Sequence, residues 1–103
     1  MIQKDSGNGS NVLIMKTDVS NREEVRQSAQ TCKQRFGDVD ILINNAGIVQ
    51  GKQMMDLNEN LVRKQFVVNC ESHFWLIREF LGPMIEKNKG HIVSIASAAG
   101  LLG

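Results

Sequence analysis

A chain of 103 residues with a formal charge of +1 has room for one small domain, and that charge balance gives no support to a nucleic-acid or acidic-surface partner. Lysine and arginine are dispersed, and aromatic residues make up only 5%, too few for a platform on which bases stack. Apolar residues make up 42%, yet no run approaches the length of a membrane span and none reads as a signal peptide.

After the polar stretch "QKDSGNGSN", "VLIMKTDV" (12–19) reads as a buried strand ending in a polar turn. Ser20 and Glu23 fit a capping box. Beyond them Val25, Ala29, Cys32 and Phe36 recur at helical spacing, and Gly37 is a natural C-terminal cap. "VDILI" (39–43) is the next strand, and it runs straight into Asn44, Asn45, Ala46 and Gly47. An unpaired buried amide costs roughly 1–3 kcal/mol, so each asparagine there is expected to have partners. Alanine and glycine let a backbone or a flat ligand come close.

Met54 and Met55 read as helix-edge packing. A long helix follows from about Glu59, carried by Leu61, Val62, Phe66, Cys70, Phe74, Ile77 and Leu81. Gly82-Pro83 is expected to bend or end it, with Met84 and Ile85 adding a further turn and residues 88–90 closing it. "HIVSIA" (91–96) is a third buried strand, running into Ser97, Ala98, Ala99 and Gly100. Cys32 and Cys70 match no metal or redox spacing and read as reduced packing residues of an intracellular protein. His73 and His91 carry no partner pattern and read as ordinary core or surface histidines.

Strand, helix, strand, helix, strand with short loops predicts parallel β-α-β units, an α/β fold. In such sheets ligands bind outside the carboxyl ends of the strands. All three strands end in small and polar residues, which points to one shared crevice.

Asp18-Val19 after one apolar strand, Asn44-Asn45-Ala46-Gly47 after the next, "FVVNCESHFW" with Asn69, and "GHIVSIASAAG" with Ser97 together resemble the short-chain dehydrogenase/reductase family. The resemblance covers nearly the whole chain. "NNAGIVQGK", "VNCESHFW" and "SIASAAG" look most like its branch of 17β-hydroxysteroid, retinol and epidermal retinol dehydrogenases. The resemblance implies a Rossmann-like, doubly wound parallel sheet and an NAD- or NADP-dependent oxidoreductase. The implied reaction interconverts an alcohol and a carbonyl on a lipid-like substrate of the retinoid or steroid class.

It also implies roles. Asp18 and Val19 would meet the adenine, and Asn45, Ala46 and Gly47 would border the adenosine half of the cofactor. Asn44 would tie neighbouring strands together. Asn69 would sit mid-helix and disturb it, freeing a backbone carbonyl to hold a water in a proton relay. Ser97 would hydrogen-bond the substrate oxygen, orienting the carbon and steadying developing charge. A homodimer and a location at the endoplasmic reticulum membrane or lipid droplets are implied for a full-length parent. The plainer readings are a turn cap for Asp18, a solvated surface amide for Asn69, and Ser94 in place of Ser97.

Departures from the family pattern are as informative. "SGNGS" has no strand before it, so no glycine-rich turn receives a pyrophosphate. No tyrosine occurs anywhere, so the family's Tyr-x-x-x-Lys pair has no counterpart. Residues 1–103 therefore read as part of an NAD(P)-binding domain cut at both ends, holding its third, fourth and fifth strands. In the order 3-2-1-4-5-6 only "VDILI" and "HIVSIA" are neighbours, and "VLIMKTDV" has no strand to pair with. Such a piece is expected to be inactive by itself. The alternative is a non-catalytic product that associates through the long helix. An unrelated nucleotide-binding module would leave Asn69 and Ser97 unexplained.

Overall fold

The computed structural model describes residues 11–102; most of the polar stretch before them, and Gly103, lie outside the described residues. Helix α1 (Arg22–Phe36) starts where the Asn21 side chain accepts the N–H groups of Glu23 and Glu24, at 3.0 and 3.2 Å. The cap is thus one residue later than the expected Ser20. Ser20 instead donates its hydroxyl back to Asp18, and Glu23 pairs with Arg26 at 2.5 Å. Gly37 ends the helix as expected, its N–H donating to the Lys33 carbonyl at 2.8 Å.

Strands β1 (Ile41–Asn44) and β2 (His91–Ser94) pair in parallel, with Ile41 opposite His91 and Asn44 opposite Ser94. Between them run helix α2 (Glu59–Phe66), a wide π-helical turn (Val67–Glu71) and helix α3 (Ser72–Glu86). Asn58 caps α2 by accepting the Leu61 N–H at 2.9 Å. The two strands expected to be neighbours are neighbours.

The expected strand at 12–19 is not one. No regular element forms there, and Leu13, Ile14 and Met15 are exposed. The described sheet has two strands, and two of the bonds that hold this segment go to side chains of α1. Thr17 and Ser28 share a hydroxyl–hydroxyl bond, and Glu24 accepts the Asp18 N–H at 2.7 Å.

β1 is half-buried rather than buried. Leu42 and Asn44 point inward, whereas Ile41 and Ile43 are 60% and 59% exposed. The reason is coverage: α3 lies against β1 and α1 packs on α3, so the helices shield one face of the sheet. The core there is Ala29, Leu42, Phe80 and Met84, flanked by Cys32, Val39, Leu76, Ile77, Leu81 and Ile92. Arg22 lies 3.9 Å over the Trp75 ring and joins α1 to α3 at the rim. Helical spacing over-counts the core, since Phe36, Phe66, Cys70 and Phe74 are exposed.

Pro83 does not end the helix. α3 continues through it to Glu86, because Gly82 has no Cβ to clash with the proline ring and Phe80 and Met84 hold the last turn on the core. The added turn at Met84 and Ile85 is present, and the closure is where it was expected. Asn88 adopts φ +50°, and the Lys89 N–H donates to the Met84 carbonyl at 3.0 Å. Gly90 then passes against Met84, where a Cβ would lie 2.5 Å from Met84 Cγ. Gly90→Ala should therefore cost about 1–3 kcal/mol by overpacking, read as a lowered urea midpoint of the helical circular dichroism signal. An unchanged midpoint would show that Met84 moves aside freely.

Candidate functional site

β1 and β2 end side by side, and the chain beyond each becomes irregular. The Ile95 N–H donates to the Asn44 carbonyl at 2.9 Å, holding the two exits together for one more residue. A cleft of about 430 Å³ opens there, lined by Asn45, Ala46, Gly47, Asn69 and Ser97 among others. Three chemically distinct segments of the chain thus reach one cleft at the carboxyl ends of parallel strands, where α/β sheets bind ligands.

Asn69 reaches it because the helix widens. In the π-helical turn the Ser72 N–H reaches back to the Val67 carbonyl. The Val68 carbonyl that it passes over is taken by Ser72 Oγ at 2.6 Å, so no buried acceptor is lost. The expectation that the helix is disturbed at Asn69 is met. Its side chain is not merely solvated: Asn69 Oδ1 accepts the Ile48 N–H and Asn69 Nδ2 donates to the Ile48 carbonyl, both at 2.8 Å. This reciprocal pair ties the loop after β1 to the helix. Gly47 lies under it, with room for a Cβ only 3.4 Å from Asn69 Oδ1.

Ser97 begins a short 3₁₀ turn (Ala98–Leu101), its Oγ accepting the Ala99 N–H at 3.0 Å. That bond uses a lone pair and leaves the hydroxyl proton to donate. Ser94 is the last residue of β2 and lines a different cleft, of about 370 Å³, with His73 and Phe74.

Asn44 departs from expectation. It is 2% exposed, and neither its Oδ1 nor its Nδ2 finds a hydrogen-bond partner among the described residues. Its backbone carbonyl, not its amide, joins the strands. Asp18 and Val19 are not among the residues lining the cleft. The Asp18 carboxylate accepts both the N–H and the hydroxyl of Ser20 through Oδ1, at 2.9 and 2.6 Å, so the plain turn-cap geometry is present. These two bonds, with a smaller pull from Lys64, hold its carboxyl below the ordinary carboxylate value. No group of three or more metal-ligating side chains occurs among the described residues. The partner of Asn69 had no signature in the sequence, because the atoms it binds belong to the Ile48 backbone.

The short chain dehydrogenase family model matches residues 1–103. Epidermal retinol dehydrogenase 2 of Mus musculus is 50% identical over 86 residues, 84% of this chain and 28% of that protein. Retinol dehydrogenase 10-B of Danio rerio is 46% identical over 82% of this chain and 25% of its own length. Estradiol 17-beta-dehydrogenase 11 of Macaca fascicularis is 42% identical over 94% and 32%. The chain thus spans between a quarter and a third of the length of these curated relatives. Among solved structures, a short-chain dehydrogenase from Streptomyces avermitilis superposes with a TM-score of 0.80 at 31% identity, over 86% of this chain and 33% of that one. A metagenomic short-chain oxidoreductase in complex with NADP gives 0.76 at 29% identity, over 84% and 39%. The α/β fold is that of these Rossmann-type proteins, represented here by two of its parallel strands.

Two outcomes follow from the geometry. Asn69→Ala removes both bonds to Ile48, and amide hydrogen exchange of Ile48 should rise by about tenfold or more. Unchanged exchange would mean that the loop is held by other contacts. Ser20→Ala should raise the Asp18 pKa toward its ordinary value in an NMR titration. Since the folded pKa lies below the unfolded one, the Asp18–Ser20 contribution is present above the unfolded pKa. It is lost as pH falls through the folded pKa, and the variant should lack that acid-side loss.

Proposed function

Because the chain belongs to the short-chain dehydrogenase family, we propose that its cleft forms part of the site of an NAD(P)-dependent oxidoreductase that interconverts an alcohol and a carbonyl on a lipid-like substrate. The observation that carries this reading is the meeting of Ser97, Asn69 and the small residues Ala46 and Gly47 in one cleft. The names of the relatives, retinol and estradiol dehydrogenases, support a retinoid or steroid substrate class. The neighbour bound to NADP supports a nicotinamide cofactor.

The residues present fit such a cofactor. Ala46 and Gly47 are exposed and carry almost no side chain, which leaves space for a flat group beside Asn45. Asp18 and Val19 are assigned to the adenine side: both Ser20 bonds go to Oδ1, and among the described residues no hydrogen bond reaches Asp18 Oδ2, which can accept from an exocyclic amino group. When bound, the nicotinamide supplies or accepts the hydride. Ser97 donates its remaining proton to the substrate oxygen, which orients the reacting carbon and steadies charge as it builds. Asn69 holds the loop at Ile48 through its side chain, and its part in a proton relay through a backbone-bound water rests on the resemblance alone. The chain has no tyrosine, and loss of a general acid–base costs roughly 10²–10⁴-fold, which supports the reading that residues 1–103 alone turn over little if at all.

The other reading is association without catalysis. Exposed Phe66 and Phe74 on the long helix favour it, and they equally support a homodimer of a full-length protein. An intracellular location at the endoplasmic reticulum membrane or lipid droplets rests on the resemblance alone.

In the full-length protein, Ser97→Ala should lower kcat by about 10²–10³-fold while leaving the Kd for nicotinamide cofactor within about twofold. Ser94→Ala should change neither. Full turnover in the Ser97→Ala enzyme would remove this serine from the site.

A further inference from the structure

The groove between α1 and α3 holds a separate cleft of about 540 Å³. Its walls carry Arg22, Glu23 and Arg26 from α1 and Trp75, Arg78 and Glu79 from α3, over a floor of Val25, 1% exposed. None of these residues lines the Ser97 cleft. Both carboxylates serve Arg26: Glu23 accepts its N–H groups at 3.0 and 2.5 Å, and Glu79 favours its charged form through space. Arg22 and Arg78 are left over. Among the described residues neither of these guanidinium groups has a hydrogen-bond acceptor or a carboxylate partner, and no acceptor reaches the Trp75 indole N–H.

We infer that this cleft docks an acidic peptide segment of a partner protein, seating one aspartate or glutamate carboxylate between Arg22 and Arg78 with an apolar neighbour against Trp75. The contact with Trp75 prepares Arg22 for this. Its guanidinium lies 3.9 Å over the ring, and a ring face cannot occupy five N–H donors, so the planar fork stays open to a carboxylate. A side chain already held in place also loses less freedom on binding. Arg78 supplies a second fork from the other helix. Charge sets the number of acids. Three guanidinium groups face two carboxylates, which leaves one net positive charge for one carboxylate to neutralise. A run of acids or a phosphate dianion overshoots that charge and meets Glu79. An exposed ion pair by itself is weak, so an apolar contact is needed as well, and a peptide carries both on one backbone. Half-buried Trp75 offers that contact, with an N–H donor at its edge.

The blocked tripeptide acetyl-Leu-Glu-Leu-amide serves as the probe, titrated against the 103-residue chain. Trp75 is the only tryptophan and the chain has no tyrosine, so its fluorescence reports on this cleft alone. A saturable change is expected, and the uncharged copy acetyl-Leu-Gln-Leu-amide should bind about tenfold more weakly. Arg78→Gln, at an exposed position outside the core, should raise Kd by about fivefold or more. Arg22→Lys, which keeps a charge near Trp75 but not the planar fork, should weaken binding to a similar degree. Lys89→Gln, beyond the far end of α3, should stay within about twofold. Absence of saturation, equal binding of the uncharged copy, an unchanged Kd in either arginine variant, or equal weakening by Lys89→Gln would overturn the site. Sodium acetate or inorganic phosphate giving the same response at the same concentration would make the cleft a site for free anions, and would overturn the peptide reading. No nicotinamide or alcohol enters the assay, so its outcome is independent of the Ser97→Ala test.

Discussion

The reciprocal hydrogen bonds between Asn69 and the Ile48 backbone are the contact on which the candidate site depends. A side-chain amide matches a backbone amide donor for acceptor, so the pair satisfies the loop without a strand to receive it. The π-helical turn makes this contact possible. One residue beyond α-helical bonding turns α3 by about 100° against α2, because an α-helix advances that much per residue. Asn69 can then face the sheet exit while Phe80 and Met84 still face the core. Ser72 makes the distortion tolerable by supplying its N–H to one displaced carbonyl and its hydroxyl to the next.

The second constraint is one-sided coverage. The buried cluster of Ala29, Leu42, Phe80 and Met84 forms only where α1 and α3 lie. On the opposite face Ile41, Ile43 and Ile95 stay largely exposed, and burying such a side chain fully is worth roughly 1.5–3 kcal/mol. The segment at 12–19 shows the same limit. It is rich in β-branched and long apolar residues, yet it runs as irregular chain beside α1. β propensity describes fitness for a pleated, paired surface, and it forms no strand without a partner.

The buried amide of Asn44 sharpens the contrast with its neighbour. Asn69 is exposed with one bond at each amide atom, whereas Asn44 is enclosed with neither amide atom partnered among the described residues. The two asparagines cannot be ranked by burial. What separates them is whether a complementary backbone group lies within about 3 Å.

Periodicity and punctuation were legible in the residues themselves. Helix α1, the long helix from Glu59, the strands β1 and β2 and the caps at Gly37 and 88–90 were readable as local chemistry. The pairing of those strands followed from the doubly wound order, and the disturbance at Asn69 from the family resemblance. The meeting of Asn45, Ala46, Gly47 and Ser97 was readable too, because strand ends of one parallel sheet open to the same side. Asn69, by contrast, arrives from a helix, and Asp18 and Val19, expected at the same crevice, do not line it. Tertiary packing alone decided the rest. Which face of β1 is covered and whether Pro83 stops its helix depend on neighbours that no local pattern encodes, whereas the lack of a pairing strand for 12–19 followed from the doubly wound order. The cap at Asn21 rather than Ser20, and the Ile48 backbone as partner of Asn69, turn on distances of about 3 Å. A one-dimensional pattern specifies which side chains can make a bond, and only the folded chain brings a second group to the distance at which the bond exists.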